Sequence, residues 1–452
     1  MGFLFSLLFA LLLSGTSSIR LNQEVDKFNH GPPLRQPLLH VSSSDFNHTS
    51  KAPMSSLDKI SRDFSRVKFL NSRLSISNKN LSEFVPGKSV KFPPNSGEPL
   101  GVGIYYTKIG LGTPPTYHLV VVDTGSSFSW IQCEPCEIYC DPQIGSPFSP
   151  SASNTYQRLS CDTKECSSLE AATLNSPRCT SSKTCLYNAT YSDQSFSSGY
   201  LSRDALTFGT ESISGFVFGC GQENYGLFGK SAGLVGLAKN ELSMLYQLSA
   251  KYGKSFSYCL PSASSLGKLG SGGFLSIGTG SNSGYKFTPM LSDSRDPTLY
   301  FLKLAAIKVS GKPLGIAASS YNVPTIIDSG TTVSQLSAPA YSALREELVK
   351  IISSEYKMAE PYPMLDACFI GSFDEISPLV PPVQMVFQGG AELNLAAQNV
   401  MTEVEKGTTC LAFAGNSNPT DISVIGNQLQ QTFEVVYDLA NSRIGFAAGG
   451  CL

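Results

Sequence analysis

A mainly β fold in two lobes is what this chain predicts, on three observations. From Gly103 onward, short apolar or alternating runs are separated by Gly, Pro, Ser and Asn, the pattern of antiparallel strands rather than bundled helices. The 40 Gly, 27 Pro and 19 Tyr add turn-rich, strand-favouring composition. One strand-and-turn unit occurs twice, at VVVDTGSS (120–127) and TIIDSGTT (325–332), in a chain of 452 residues, long enough for two cores plus dispensable segments.

Taken in order, residues 1–18 are an apolar run from Phe3 to Leu13 followed by small residues. This has the shape of a signal peptide and is too short to span a bilayer, although the usual positive start is missing. Residues 19–98 lack Cys and carry 12 Lys and Arg against 7 Asp and Glu, a net +5. The remainder then carries −7, because the whole chain carries −2. A positive segment ahead of a negative body suits an electrostatically docked propeptide, the bland alternative being a disordered basic leader. Within it Leu57, Ile60, Phe64 and Val67 recur at helical spacing, which predicts one amphipathic helix with a stripe that needs a partner surface.

Beyond residue 98 the predicted strands include YYTKIGLG, YHLVVVD, GFVFGC, GFLSIG, YFLKLAAIKVSG, VQMVF, TCLAFAG, FEVVYD and RIGFA. Helices are expected only at about 339–353 and 241–250, where apolar residues stand three and four apart. No later segment reaches the length of a membrane span.

Twelve Cys, seven of them between Cys133 and Cys185, fit disulfides formed in the secretory pathway. No His lies near Cys133, Cys136 and Cys140, so no metal is expected there; the pairing pattern does not follow from spacing. His30, His40, His48 and His118 are the four histidines. With the first three in the segment expected to be removed, Ser-His-Asp, Cys-His or multi-His zinc catalysis would have to run through His118 alone. That residue stands in an apolar strand and reads as structural. Carboxylate chemistry needs no histidine.

Each repeated motif is an apolar strand ending in Asp, then a hydroxyl residue, Gly, and another hydroxyl residue. The glycine lets the chain turn at the strand end, and the hydroxyls can hydrogen-bond a carboxylate. The repeat extends to Ala232–Leu237 and Ile422–Asn427, each with two apolar residues before Gly, at Asp-to-Gly separations of 113 (123 to 236) and 98 (328 to 426). This is an internal duplication.

On these residues the chain resembles the pepsin-like aspartic proteases, and within them the atypical plant group that includes nepenthesin. The resemblance covers essentially all of 99–452. It implies a two-lobed fold with a cleft between an N-terminal lobe (99–288, with a Cys-rich insert and flap) and a C-terminal lobe (289–452). It implies Asp123 and Asp328 as the catalytic pair, with Ser126 and Thr331 bonding the carboxylates from outside and Thr124 and Ser329 linking the loops that turn at Gly125 and Gly330. Trp130 matches a residue placed beside the flap tyrosine, which resembles Tyr191. Gln194 stands where the plant group usually has a flap-tip glycine. Cys368 and Cys410 resemble a bridged pair, and Asn47, Asn80 and Asn188 begin N-x-[ST] sequons.

What the resemblance implies is an acid-acting endopeptidase that activates water with two aspartates and needs no cofactor or metal. Its partners would be polypeptide substrates and its own propeptide, with no nucleic acid and no membrane anchor, and the protein would be a monomer. It would be secreted to the apoplast or carried to the vacuole. The rival within the family is a xylanase-inhibitor-like protein that keeps the fold and binds without cleaving. Such relatives typically lose part of the pair or its hydroxyl neighbours, whereas both motifs are intact in this chain.

Overall fold

Two β-strands that lead into an aspartate set the architecture. The structure, a computed structural model, describes residues 33–40, 56–75, 105–191, 195–226, 228–262, 272–278 and 284–451; the expected signal peptide, the sequons at Asn47 and Asn80, and Gln194 lie outside them. Strand β1 (Leu34–His40), helix α1 (Ser56–Ser75), and strands β2 (Tyr105–Leu111), β3 (Thr116–Asp123) and β4 (Trp130–Gln132) come first in the chain. β3 pairs antiparallel with β2 and parallel with Gly233–Gly236, a register that sets Asp123 opposite Gly236. The second copy repeats this: Thr325–Ile327 pairs parallel with Ser423–Ile425. In each copy a third strand, β4 or Ser334–Leu336, runs antiparallel to the glycine-bearing strand. The duplicated motifs are therefore duplicated pairings, each needing the long crossover that parallel strands demand.

The halves are joined by a 15-stranded sheet, in which the C-terminal strands Phe433–Asp438 and Arg443–Ala448 add to Ser255–Cys259 of the first half. Phe256 stacks on Tyr437 at 4.3 Å between ring centroids, and the Tyr258 and Tyr437 hydroxyls are 2.8 Å apart. A five-stranded sheet carries the second aspartate motif, and four- and three-stranded sheets complete that half. The helices expected near 339–353 and 241–250 are Ala338–Ile352 and Met244–Tyr252.

Two elements come from the basic N-terminal segment. β1 is internal to the large sheet, between Gly273–Ile277 and β2. α1 buries Ile60, Val67, Leu70 and Leu74. Val67, Leu70 and Leu74 pack on Leu299, Phe301, Ile326, Ile422 and Val424, while Ile60 packs on Val333, Leu365 and Val404. Leu57, counted in the expected stripe, is instead exposed: the chain offers its face from Ile60 onward to the body, and Leu57 falls outside that arc. Burying four such side chains contributes roughly 1.5–3 kcal/mol each before the entropy of ordering the helix.

All twelve cysteines are paired: Cys133–Cys220, Cys136–Cys140, Cys161–Cys179, Cys166–Cys185, Cys259–Cys451 and Cys368–Cys410. The three crowded loops after β4 are thus tied locally, and Cys133 is tied to the strand that lies beside β4. No helix among the described residues is long and apolar enough to cross a membrane.

Candidate active site

Asp123 and Asp328 both end up buried, at 1% exposure, at the ends of their strands. Asp123 Oδ1 accepts from the Gly125 N–H at 2.9 Å, and Ser126 Oγ donates to Asp123 Oδ2. Asp328 Oδ1 accepts from the Gly330 N–H at 3.2 Å, and Thr331 Oγ1 donates to its Oδ2 at 2.6 Å. Beneath them the Thr124 N–H donates to Ser329 Oγ at 3.1 Å and the Ser329 N–H to Thr124 Oγ1 at 2.9 Å. The two turns therefore brace one another reciprocally. Glycine suits each turn because the carboxylates must approach: a Cβ on Gly125 would lie 3.0 Å from Asp328 Oδ1, tighter than most Cβ contacts, and one on Gly330 would lie 2.5 Å from Asp123 Oδ1, closer than Cβ contacts allow.

A third ion occupies the gap. Arg66 of α1 donates through Nε to Asp328 Oδ2 at 2.7 Å, through Nη1 to Asp123 Oδ2 at 2.9 Å, and through Nη2 to both Asp123 Oδ1 at 2.5 Å and Asp328 Oδ1 at 3.0 Å. A planar guanidinium suits two carboxylates at once, which an ammonium does not. Burial pushes the Asp328 carboxyl up, but the Arg66 charge, with Thr331 and Gly330, outweighs it and holds the group below the usual carboxylate range. Burial works against the Arg66 charge, and the two carboxylates outweigh that in turn.

Polar contacts hold the rest of the helix. Arg62 Nη2 donates to the Gly330 carbonyl at 3.0 Å. The Thr332 and Val333 N–H groups donate to Asp63 Oδ2 at 2.9 and 3.0 Å, and Asn71 Oδ1 accepts from Ile422 N–H at 2.7 Å. Arg73 pairs with Asp296 at 2.5 Å. Burial pushes the Asp63 carboxyl up to about 6, against the lowering effects of Arg62 and the Val333 and Thr332 donors.

Behind Asp123, the Trp130 indole N–H donates to the Tyr191 hydroxyl at 2.8 Å, and both rings meet Phe228 edge-on, at 4.9 and 5.5 Å. Tyr191 and Phe228, with Val121, Phe128 and Leu234, line an apolar recess that α1 closes. Tyr191 and Ser195 bracket the tip of the hairpin formed by Cys185–Thr190 and Phe196–Phe208. Asn188 is half-buried on the first of these strands. His118 lies buried on β3, 2.9 Å from Thr116 Oγ1 and edge-on to Phe148; burial lowers its pKa to about 4. No cluster of three or more His, Cys, Asp and Glu able to hold a metal occurs among the described residues.

Sequence reading did not single out Arg66, Asp63 or Arg73. The available signal was that these charges share the helical face of Ile60, Val67, Leu70 and Leu74, at spacings of three and seven. Nor did it single out Gln430, which donates to the Asp328 carbonyl at 3.3 Å and to the Ile425 carbonyl at 2.9 Å while accepting from Tyr258.

Residues 105–279 match the family described as Xylanase inhibitor N-terminal, and residues 299–448 match Xylanase inhibitor C-terminal. The chain is 37% identical over 418 residues to an aspartyl protease family protein of Arabidopsis thaliana, covering 91% of this chain and 86% of that protein. To aspartic proteinase nepenthesin-2 of Nepenthes gracilis it is 32% identical over 434 residues, covering 94% and 92%. Among solved structures, the basic 7S globulin from soybean shares the fold at a TM-score of 0.59 and 21% identity, covering 78% of this chain and 96% of that one. The duplicated strand–aspartate pairing, the two-half architecture and these full-length relatives agree: this chain belongs to the pepsin-like aspartic protease family, in the atypical plant group that contains the nepenthesins.

Proposed function

We propose that this chain is a secreted aspartic endopeptidase made as a zymogen, with residues 19–98 as its propeptide, Asp123 and Asp328 as its catalytic pair, and Arg66 as the plug that keeps the pair inactive. The observation that carries the reading is the shared guanidinium: one arginine from the basic segment satisfies two carboxylates whose own loops already supply each with a glycine N–H and a hydroxyl. A family member that only bound a partner would have no use for an intact, matched pair kept covered. Six disulfides support secretion.

The chemistry follows from removing Arg66. Two carboxylates this close do not both stay ionised, so the pair retains one proton. The ionised member takes a proton from the attacking water, and the protonated member donates to the carbonyl oxygen of the peptide bond. The tetrahedral diol collapses as the amine leaves with a proton from the pair and one diol hydroxyl returns its proton to the pair on re-forming C=O, so that the pair again holds one proton and is ready for another water. The base belongs to the pair as a unit. Closing Tyr191 and its hairpin over the substrate would exclude bulk water.

The pH dependence has two opposing parts. The depressed Asp328 favours docking of α1 above its ordinary range, and this is lost as pH falls through the lowered value. Asp63 works the other way: its raised pKa makes docking strongest below about pH 4 and progressively weaker as pH rises through about 6. Release therefore belongs to strongly acid conditions, where the Arg66 pairing fails.

A second reading, binding without cleavage, draws on the xylanase-inhibitor names of the matching families. Incubating the acidified full chain with a denatured protein, with and without pepstatin, separates the two. Pepstatin-sensitive cleavage supports the endopeptidase, and its absence at every acidic pH supports the binding protein.

A further inference from the structure

Arg73 stands seven residues after Arg66 on α1, about 10 Å further along the helix axis, and its partner belongs to the body. Asp296 is 6% exposed. Its Oδ1 accepts from the Thr298 N–H at 3.1 Å and from Thr298 Oγ1 at 2.6 Å, which leaves Oδ2 facing the Arg73 Nη2 at 2.5 Å. Arg73 also donates to Thr298 Oγ1 at 2.9 Å and to the carbonyl of Gly125 at 3.3 Å. Three acceptors on the body thus converge on one cation, and one of them belongs to the same turn as Asp123. The anion is fixed by its own turn rather than by α1, so the site remains built when the helix leaves.

The charges around it do not fill it. Arg295 is held by Asp293 through two bonds, at 2.9 and 2.5 Å. The Lys239 ammonium lies 5.7 Å over the Tyr300 ring; burial lowers its pKa and Asp296 acts against that. Among the described residues, Arg73 is the cation paired with Asp296.

The distance gives the site a meaning for substrate. The Gly125 carbonyl that accepts from Arg73 Nη1 at 3.3 Å belongs to a residue two positions after Asp123, so a chain bound in extended form, advancing about 3.3 Å per residue, reaches the site with a side chain within a few residues of the bond being cut. We infer that Asp296, with Thr298 Oγ1 and the Gly125 carbonyl, is a substrate subsite that selects Lys or Arg at one position within a few residues of the scissile bond, and that Arg73 occupies it in the precursor. This rests on the endopeptidase reading and adds a substrate class to it: polypeptides with a basic residue at that fixed position.

The test uses the full-length chain acid-treated to release its N-terminal segment and then assayed at about pH 5.5, where a peptide Glu is ionised, with a peptide series in which Arg, norleucine or Glu is moved through each position within four residues of the cut, products being identified by mass. The expected result is one position within four residues of the cut at which Arg is favoured over norleucine about tenfold to a hundredfold in kcat/KM, as a desolvated charged hydrogen bond implies. In Asp296→Asn, which keeps an oxygen for the Thr298 donors, that ratio should fall towards one; in Asp296→Lys, Glu should become the favoured residue. Cleavage with no preference for a cation at any position, or a preference that survives Asp296→Asn, overturns the subsite while leaving the endopeptidase standing. No cleavage of any peptide overturns both.

Discussion

Removing the guanidinium from the active site should turn the precursor on. In Arg66→Ala, four hydrogen bonds to two buried carboxylates disappear, and α1 keeps its apolar contacts and the Arg62, Asp63, Asn71 and Arg73 attachments. Breaking a buried ion pair by deleting one partner costs about 3–5 kcal/mol, and the upper end is moderated because the freed pair can take up one proton. At about 1.4 kcal/mol per decade, the helix should leave the cleft roughly a hundredfold to a few thousandfold more often. The assay is hydrolysis of a quenched fluorescent peptide by freshly purified full-length chain at about pH 6, before any processing, against the wild type. Arg66→Lys, which keeps the charge but not the planar fork, should fall between them. If Arg66→Ala precursor is as silent as wild type at pH 6 yet becomes fully active on acidification, then some other contact blocks the cleft and the plug is misassigned.

Other consequences follow from the same contacts. Asp123→Asn or Asp328→Asn should each abolish cleavage, with the double variant little worse, because the carboxylates act as one device; substantial turnover by either single variant would contradict this. Asp63→Asn keeps an acceptor for the Thr332 and Val333 N–H groups but cannot ionise. The shift from 3.8 to about 6 amounts to about 3 kcal/mol, so this precursor should be more tightly inhibited than wild type at pH 7 and show a flatter profile between about pH 4 and 7, read as residual peptide hydrolysis. Replacing both Cys259 and Cys451, which tie the central sheet to the C-terminus across 192 residues, should cost about 2–4 kcal/mol, measured as a lowered thermal midpoint at neutral pH.

The sequence made the paired site legible because its signal is local: an apolar strand, an aspartate, a hydroxyl residue and a glycine lie together in the chain, and their repetition marks two turns that can face each other. The Gly233–Gly236 and Ser423–Ile425 strands were visible for the same reason, as the other half of each repeat. What joins distant segments was not. The partners of Cys133 and Cys259 lie 87 and 192 residues away, and spacing carries no record of them. The stripe on α1 is visible in the sequence, but the body surface that decides its edges is not, which is why Leu57 reads as part of the stripe and Arg66 does not. An arginine among apolar residues on one helical face looks like an interruption until two carboxylates, 57 and 262 residues away, are placed opposite it. Asp296 and Gln430 were hidden similarly, each a single polar residue in an unremarkable loop or short helix whose role depends on contacts from another part of the fold.

The most direct measurement is the binding of pepstatin to the full-length chain by calorimetry, before and after acid processing. An intact aspartate pair kept covered by Arg66 predicts no binding to the unprocessed wild type at about pH 6, one molecule bound per chain to Arg66→Ala under the same conditions, and one per chain to the wild type once its N-terminal segment has been released. Equal binding to all three would contradict the plug, and binding to none would contradict the active pair itself.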